Sequence, residues 1–204
     1  QAVTVALTFP NDTAGYALAN SGLDCTAASY TSVVSGTTSA STSFTLDAGD
    51  GLKTVAACFI DGAGNAASAF DTIGLDTSDP VGVVAINEGA TNTTSAAVTL
   101  GFSGSPDIIQ VAIAQGATPT CATASYVPFT ATRAFSLTGG DGTVSVGVCF
   151  RDASGRTSTA SDSIVLDRTA PSITGFAINQ NGSHTADTDV VLNIVAADVT
   201  SGVS

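Results

Sequence analysis

The sequence predicts an all-β fold, in which antiparallel β-sandwich domains of about seven strands are stacked end to end. Three observations carry this reading. Residues 50–80 recur without a gap at 141–171, and at that constant offset of 91 the same residue type returns at Asp50/Asp141, Gly51/Gly142, Val55/Val146, Cys58/Cys149, Phe59/Phe150, Asp61/Asp152, Gly64/Gly155, Ala69/Ala160, Asp71/Asp162, Ile73/Ile164, Leu75/Leu166, Asp76/Asp167 and Pro80/Pro171. Agreement at a fixed period marks one structural unit copied in tandem. Where apolar residues cluster they alternate, with the period of two that belongs to half-buried strands. The chain is rich in Ala, Ser, Thr, Gly and Val, lacks Met and Trp and is only 11% charged, a composition that suits short strands joined by turns.

Taken in order, Val3, Val5, Leu7 and Phe9 share one face and Thr4, Ala6 and Thr8 the other, which predicts the first strand. Residues 43–46 read as another strand. Asp50-Gly51 follows as a hairpin turn, because Gly accepts positive φ without steric cost. Residues 53–60 run back with Val55, Ala57 and Phe59 on one face, 61–65 turn again, and 68–75 form the closing strand. The second copy repeats this plan, with strands at 97–102, 108–114, 134–137, 144–151 and 161–166. A third begins at Pro171, where Ile178-Asn179 echoes Ile86-Asn87 ahead of a strand at 189–195. The predicted domains are 1–77, 78–168 and 169–204. The first is expected to lack its opening segment and the third to be cut short, as in a piece of a longer polypeptide. Only three residues separate Leu75-Asp76 and Leu166-Asp167 from Pro80 and Pro171, which enforce an extended start to the next unit. Flexible tethers are longer and Gly/Ser-rich, so the units are expected to stack as a stiff rod.

Four cysteines fall two to a repeat. Three pairings are open in principle. A module that recurs as a unit carries its staple within itself, so the expected bridges are Cys25 to Cys58 and Cys121 to Cys149. Each closes a loop of about 30 residues and contributes on the order of 3–4 kcal/mol by the chain-entropy argument. Paired cysteines belong in an oxidising compartment, which points to an extracellular or cell-surface location. Seventeen acidic residues against five basic ones leave a net charge of −12. That charge repels phosphate backbones and anionic lipid, so nucleic acid is not expected as a partner. Nor does any apolar run approach the length of a membrane span.

Phe59, Asp61-x-x-Gly64-Asn65 and Asp71-x-Ile73-x-Leu75-Asp76-x-x-x-Pro80, repeated as Phe150-x-Asp152-x-x-Gly155 and Asp162-x-Ile164-x-Leu166-Asp167-Arg168-Thr169-Ala170-Pro171, resemble the end of bacterial Ig-like modules. Such modules occur in tandem in large surface adhesins and other exported proteins. The resemblance covers essentially the whole chain, and the paired cysteines depart from many cysteine-free members. It implies Ig-like sandwiches used as stalk, spacer or adhesive module, with neighbouring repeats and a host or cell-surface ligand as partners.

Calcium at the domain junctions is the sharpest site expectation. Asp61 and Asn65 lie in a turn at one end of the sandwich, and Asp76 and Asp79 lie in the junction, so that loop and linker oxygens would converge on one hard cation. The resemblance implies the same arrangement. The second junction offers Asp152 and Asp167 but has Arg156 and Ala170 where the first has Asn65 and Asp79. The competing reading gives these residues the commoner task of capping turns through hydrogen bonds to backbone.

An enzyme is not expected. His184 is the only histidine and lies in a polar stretch, Glu88 is the only glutamate, and there is no Gly-x-Ser-x-Gly elbow. The leading function is a structural or adhesive segment of a long surface protein. The alternative is the subunit of an extracellular filament, in which neighbouring subunits of a fibre complete one another's sheets by strand addition. The expected donor there is Asp189, Val190, Val191, Leu192, Asn193, Ile194 and Val195. An accessory module of a secreted hydrolase would need an exposed aromatic row, and aromatics are 6% with no Trp.

Overall fold

In the computed structural model, which describes residues 1–202, the period-two segments are strands, and the only helical turns among the described residues are two three-residue 3-10 turns. Two units divide the chain, Gln1–Ser78 and Asp79–Ser204. In unit 1, β1 (Ala2–Thr8) pairs with β4 (Ser39–Thr45). The second sheet has the order β3 (Thr31–Ser32), β2 (Thr13–Ala19), β5 (Gly51–Asp61), β6 (Ala66–Leu75). Between them lies a small core of Leu7, Phe9 and Ala57, with Val5, Tyr16, Leu18 and Phe59 half-buried around it.

Unit 2 keeps this plan and adds two strands. Its first sheet has β12 (Thr132–Ser136), β9 (Ala97–Gly104) and β7 (Gly82–Ile86); its second has β11 (Val127–Pro128), β10 (Ile108–Gln115), β13 (Gly142–Asp152), β14 (Thr157–Leu166) and β8 (Asn92–Thr93). The extra strands are β7 and β8. Because β7 closes the sandwich, Val84 and Ile86 join Leu100, Phe102, Val146, Val148, Phe150 and Ile164 in a core that excludes water. Each such side chain contributes roughly 1.5–3 kcal/mol on burial. No described strand takes the corresponding place in unit 1, and β6 shows the consequence: residues 66–74 are all exposed, whereas their counterparts in β14 alternate.

A hairpin of β15 (Ser172–Ile178) and β16 (Leu192–Ala197) follows. It matches the β7 and β9 pair, down to the left-handed turn residues Asn87 and Asn179 and their side-chain bonds to Thr99 N and Val191 N. The expected boundary after residue 77 falls one residue later. The expected third domain contributes only this hairpin, which is grouped within the second unit, and its residues 203 and 204 lie outside the described part.

One turn is corrected. Asp50-Gly51 and Asp141-Gly142 are not hairpin turns, since β4 and β5 lie in different sheets, as do β12 and β13. They are corners where the chain crosses the sandwich. Gly51 and Gly142 have φ of 119° and 135°, so the positive-φ requirement was read correctly while the partner strand was not.

Candidate functional site

The corner aspartates hold the linkers. Asp50 Oδ1 accepts from Thr77 N at 2.8 Å and Thr77 Oγ1 at 2.7 Å, and its Oδ2 accepts from Ser78 Oγ at 2.8 Å. One repeat later Asp141 Oδ2 accepts from Arg168 N at 3.1 Å and Thr169 Oγ1 at 2.7 Å, while Arg168 Nε donates to Oδ1 at 2.8 Å. The Thr169 hydroxyl first, and then Arg168, hold the Asp141 carboxyl down at about 2. Each corner thus clamps the segment leaving its own repeat.

The expected calcium ligands are not brought together within a repeat. Asp61 and Asp76 bracket β6, and Asp152 and Asp167 bracket β14, each a strand of ten residues and therefore roughly 30 Å long. Loop and linker carboxylates of one repeat stand at opposite ends of it. Asp61 is spent on its turn: Oδ1 accepts from Ala63 N at 2.9 Å and Asn65 N at 2.8 Å, Oδ2 from Asn65 Nδ2 at 2.8 Å, and the Asn65 bonds lead in depressing its pKa. Asp76 Oδ1 accepts from Ser78 N at 3.1 Å, and Asp79 pairs with Arg156 at 2.8 Å. Asp167 is buried; its Oδ1 accepts from Thr169 N at 3.0 Å, and its backbone N donates to Thr93 O at 2.9 Å.

Asp152 differs from its counterpart Asp61 in one respect that matters. Its Oδ1 accepts from Ser154 Oγ at 2.8 Å and Arg156 N at 2.9 Å, but Oδ2 is buried without a hydrogen-bond partner. Arg156 stands where Asn65 supplies the second donor in unit 1, and its Nη1 reaches Asp79 instead. Asp152 is only 1% exposed. Asp107, next to the bulge where Ile108 pairs with Asp152, also buries a partnerless oxygen, Oδ1. A carboxylate oxygen of Asp107 and one of Asp152 lie within 4.8 Å of each other. Two carboxylate oxygens buried without donors, one from each residue, repel and carry a desolvation cost. A hard cation with oxygen ligands, such as Ca²⁺, fits that donor set.

The cysteines pair as Cys25–Cys58 and Cys121–Cys149, with Cα separations of 5.5 and 5.6 Å, and they link the loop after β2 to β5 and the loop after β10 to β13. Tyr30 Oη donates to Cys25 O at 2.7 Å and Tyr126 Oη to Cys121 O at 3.1 Å, so the loop bearing each bridge is tied twice. Arg151 stacks over Tyr126 at 3.6 Å in unit 2.

No protein-family model matches the chain, and no curated protein sequence matches it. Solved structures do. The chain is similar to fibronectin(III)-like modules of Clostridium thermocellum CbhA, with 12% identity and a TM-score of 0.45 over 81% of this chain and 84% of that one. It is also similar to a tetra-tandem repeat in the extending region of a large adhesion protein, with 18% identity and a TM-score of 0.33 over all of this chain and 61% of that one. A third is the Bacteroides ovatus mixed-linkage glucan utilization locus protein SGBP-B in complex with a heptasaccharide, with 13% identity and a TM-score of 0.21 over 92% of this chain and 46% of that one.

Asp107 and the two tyrosines are not singled out by the sequence, and Asp50 and Asp141 only as repeated turn residues. The tyrosines were findable, since Tyr30 and Tyr126 each stand five residues after the first cysteine of a repeat. Asp107 carries no such signal, because only the fold sets it beside Asp152. His184 is exposed as expected, with Nδ1 3.0 Å from Ser183 Oγ.

Proposed function

We propose that this chain is a structural repeat segment of a long extracellular bacterial surface protein, without catalytic activity, serving as stalk or spacer that carries a distal binding part toward a host or cell-surface ligand. The observation that supports this best is the repeated clamp of Asp50 on Thr77 and Ser78 and of Asp141 on Arg168 and Thr169, in which the same copied aspartate holds the segment where each repeat ends. The disulfide in each unit suits an oxidising exterior. Antibodies raised against the 204-residue chain should label intact source cells; labelling only after lysis would overturn the reading.

Calcium belongs to this proposal. Asp107 and Asp152 would supply carboxylate oxygens, and binding would offset their mutual repulsion and stiffen the end of unit 2. Melting followed with calcium and with chelator should separate by several degrees, and Asp152→Asn should abolish the difference. Identical melts in calcium and chelator would sink the idea.

A further inference from the structure

Gln110 of β10, Arg151 of β13 and Thr157 of β14 stand in one register row across the second sheet of unit 2. Phe150 points into the core, so Arg151 beside it points out, and the row lies on the outer face. Neighbouring strands are about 4.8 Å apart, which gives the row a span of roughly 10 Å. The loop held by the Cys121–Cys149 bridge brings Tyr126 to this face, where the Arg151 guanidinium stacks on its ring with Cζ 3.6 Å from the centroid. Ile109, at the bulge beside Gln110, is 49% exposed.

Arg151 is set apart from the other basic residues. Arg156 and Arg168 pair with Asp79 and Asp141, Lys53 Nζ donates to Ala48 O at 3.2 Å, and Arg133 Nη2 donates to Pro128 O at 3.0 Å. Arg151 has neither a carboxylate nor a carbonyl partner among the described residues, and its Nε is buried without an acceptor. A guanidinium already stripped of part of its water and held flat on a ring is prepared for an anion, because little further ordering or desolvation is required and its fork offers parallel N–H donors. Unit 1 shows that the fold does not need this row. It has the same scaffold, with the Cys25–Cys58 bridge and Tyr30 bonded to Cys25 O, yet its row reads Gly15, Ile60 and Ala66. The amide, guanidinium and hydroxyl of unit 2 therefore call for a use other than folding.

We propose that Gln110, Arg151 and Thr157 form a binding site for an acidic sugar. Arg151 takes the carboxylate through its fork, Gln110 and Thr157 on either side exchange hydrogen bonds with hydroxyls, and Ile109 meets the C–H face of the ring. The net charge of −12 repels polyanions, so the ligand carries a single carboxylate among neutral groups. This gives unit 2 a recognition role of its own, beyond that of a spacer.

Amide NMR spectra of the isotope-labelled 204-residue chain, titrated with glucuronate, test the site and report at the same time that each variant keeps its fold. Glucuronate should shift the signals of Gln110, Arg151 and Thr157 with half-saturation on the order of 1–10 mM, while those of Gly15, Ile60 and Ala66 stay in place. Glucose, which lacks the carboxylate, should shift none of them. Arg151→Lys keeps the charge but loses the fork and should weaken binding about tenfold. Thr157→Val removes only a hydroxyl from a paired strand and should weaken it about three- to tenfold. A row that does not respond to glucuronate, or that responds equally in the Arg151→Lys chain, overturns the site. Glucose shifting the row as glucuronate does overturns the role given to the carboxylate, and acetate binding as tightly as glucuronate overturns the assignment to a sugar.

Discussion

Asp141 shows how much a single exposed carboxylate does when its donors are arranged for it. An aspartate ordinarily titrates near 3.8, and the Thr169 hydroxyl with Arg168 lowers this one to about 2. Since the folded form holds its proton less tightly than the unfolded chain, the clamp contributes in full above the unfolded value. Its contribution is lost as pH falls from about 3.8 towards 2. Melting temperatures between pH 5 and 2 should therefore fall more steeply for the native chain than for Asp141→Asn, which lacks this titration; parallel curves would remove the clamp from the acid response. At the same scale, one replacement separates the two copies of the β-turn. Asn65 completes the bonding of Asp61, whereas Arg156 leaves Asp152 Oδ2 buried and partnerless. The sequence showed both residues and the loss of the amide, but burial of the orphaned oxygen beside Asp107 was not legible there.

Among the elements, β7 has the greatest effect. It enters unit 2 as an edge strand and converts an open pair of sheets into a closed core. Gly82 sits in β7 against the Phe150 ring, where an added Cβ would overlap Cγ, Cδ2 and Cε2 of the ring. Phe150 is fully buried and packs edge-on to Phe102 with ring centroids 6.2 Å apart, so it has little room to yield. Gly82→Ala is expected to destabilise unit 2 by about 1–3 kcal/mol in denaturant melts. Gly101→Ala in β9 is the contrast, since its Cβ would meet only Ala85 O at 3.7 Å, and it should be neutral or slightly stabilising. Equal losses at both positions would show that strand glycine as such, and not the ring contact, sets the cost. Alternation identified most of these strands. It could not distinguish the corner at Asp50-Gly51 from a hairpin, because both demand the same backbone freedom of Gly and differ only in which sheet receives the next strand.

For the molecule as a whole, stability is divided unequally. Unit 2 has a core of fourteen buried apolar residues, while the buried core of unit 1 is three. The Cys25–Cys58 bridge spans 33 residues and Cys121–Cys149 spans 28, so each is worth about 3–4 kcal/mol. The same increment weighs more on the smaller core. Reduction should unfold unit 1 well before unit 2, read as two separated transitions in a thermal scan with reductant, while Cys121→Ser with Cys149→Ser should lower only the later one. A single transition that moves as one would mean that the units do not melt independently.

The sequence by itself determined the repeat, the all-β class, the strands that alternate and, through the logic of a self-contained module, the two disulfides. These follow from local patterns and from duplication, which one dimension records in full. Tertiary structure decided which ends of the repeats share a place. Asp61 and Asp76 are fifteen residues apart in the chain yet stand at opposite ends of a unit, whereas Asp107 and Asp152 are distant in sequence and lie within 4.8 Å. The physical reason is that a strand carries its ends apart by about 3.3 Å per residue, while pairing across a sheet brings together residues that share only a register. The same holds for β6, since its residues read as a strand in the sequence but only the structure shows 66–74 exposed on both faces.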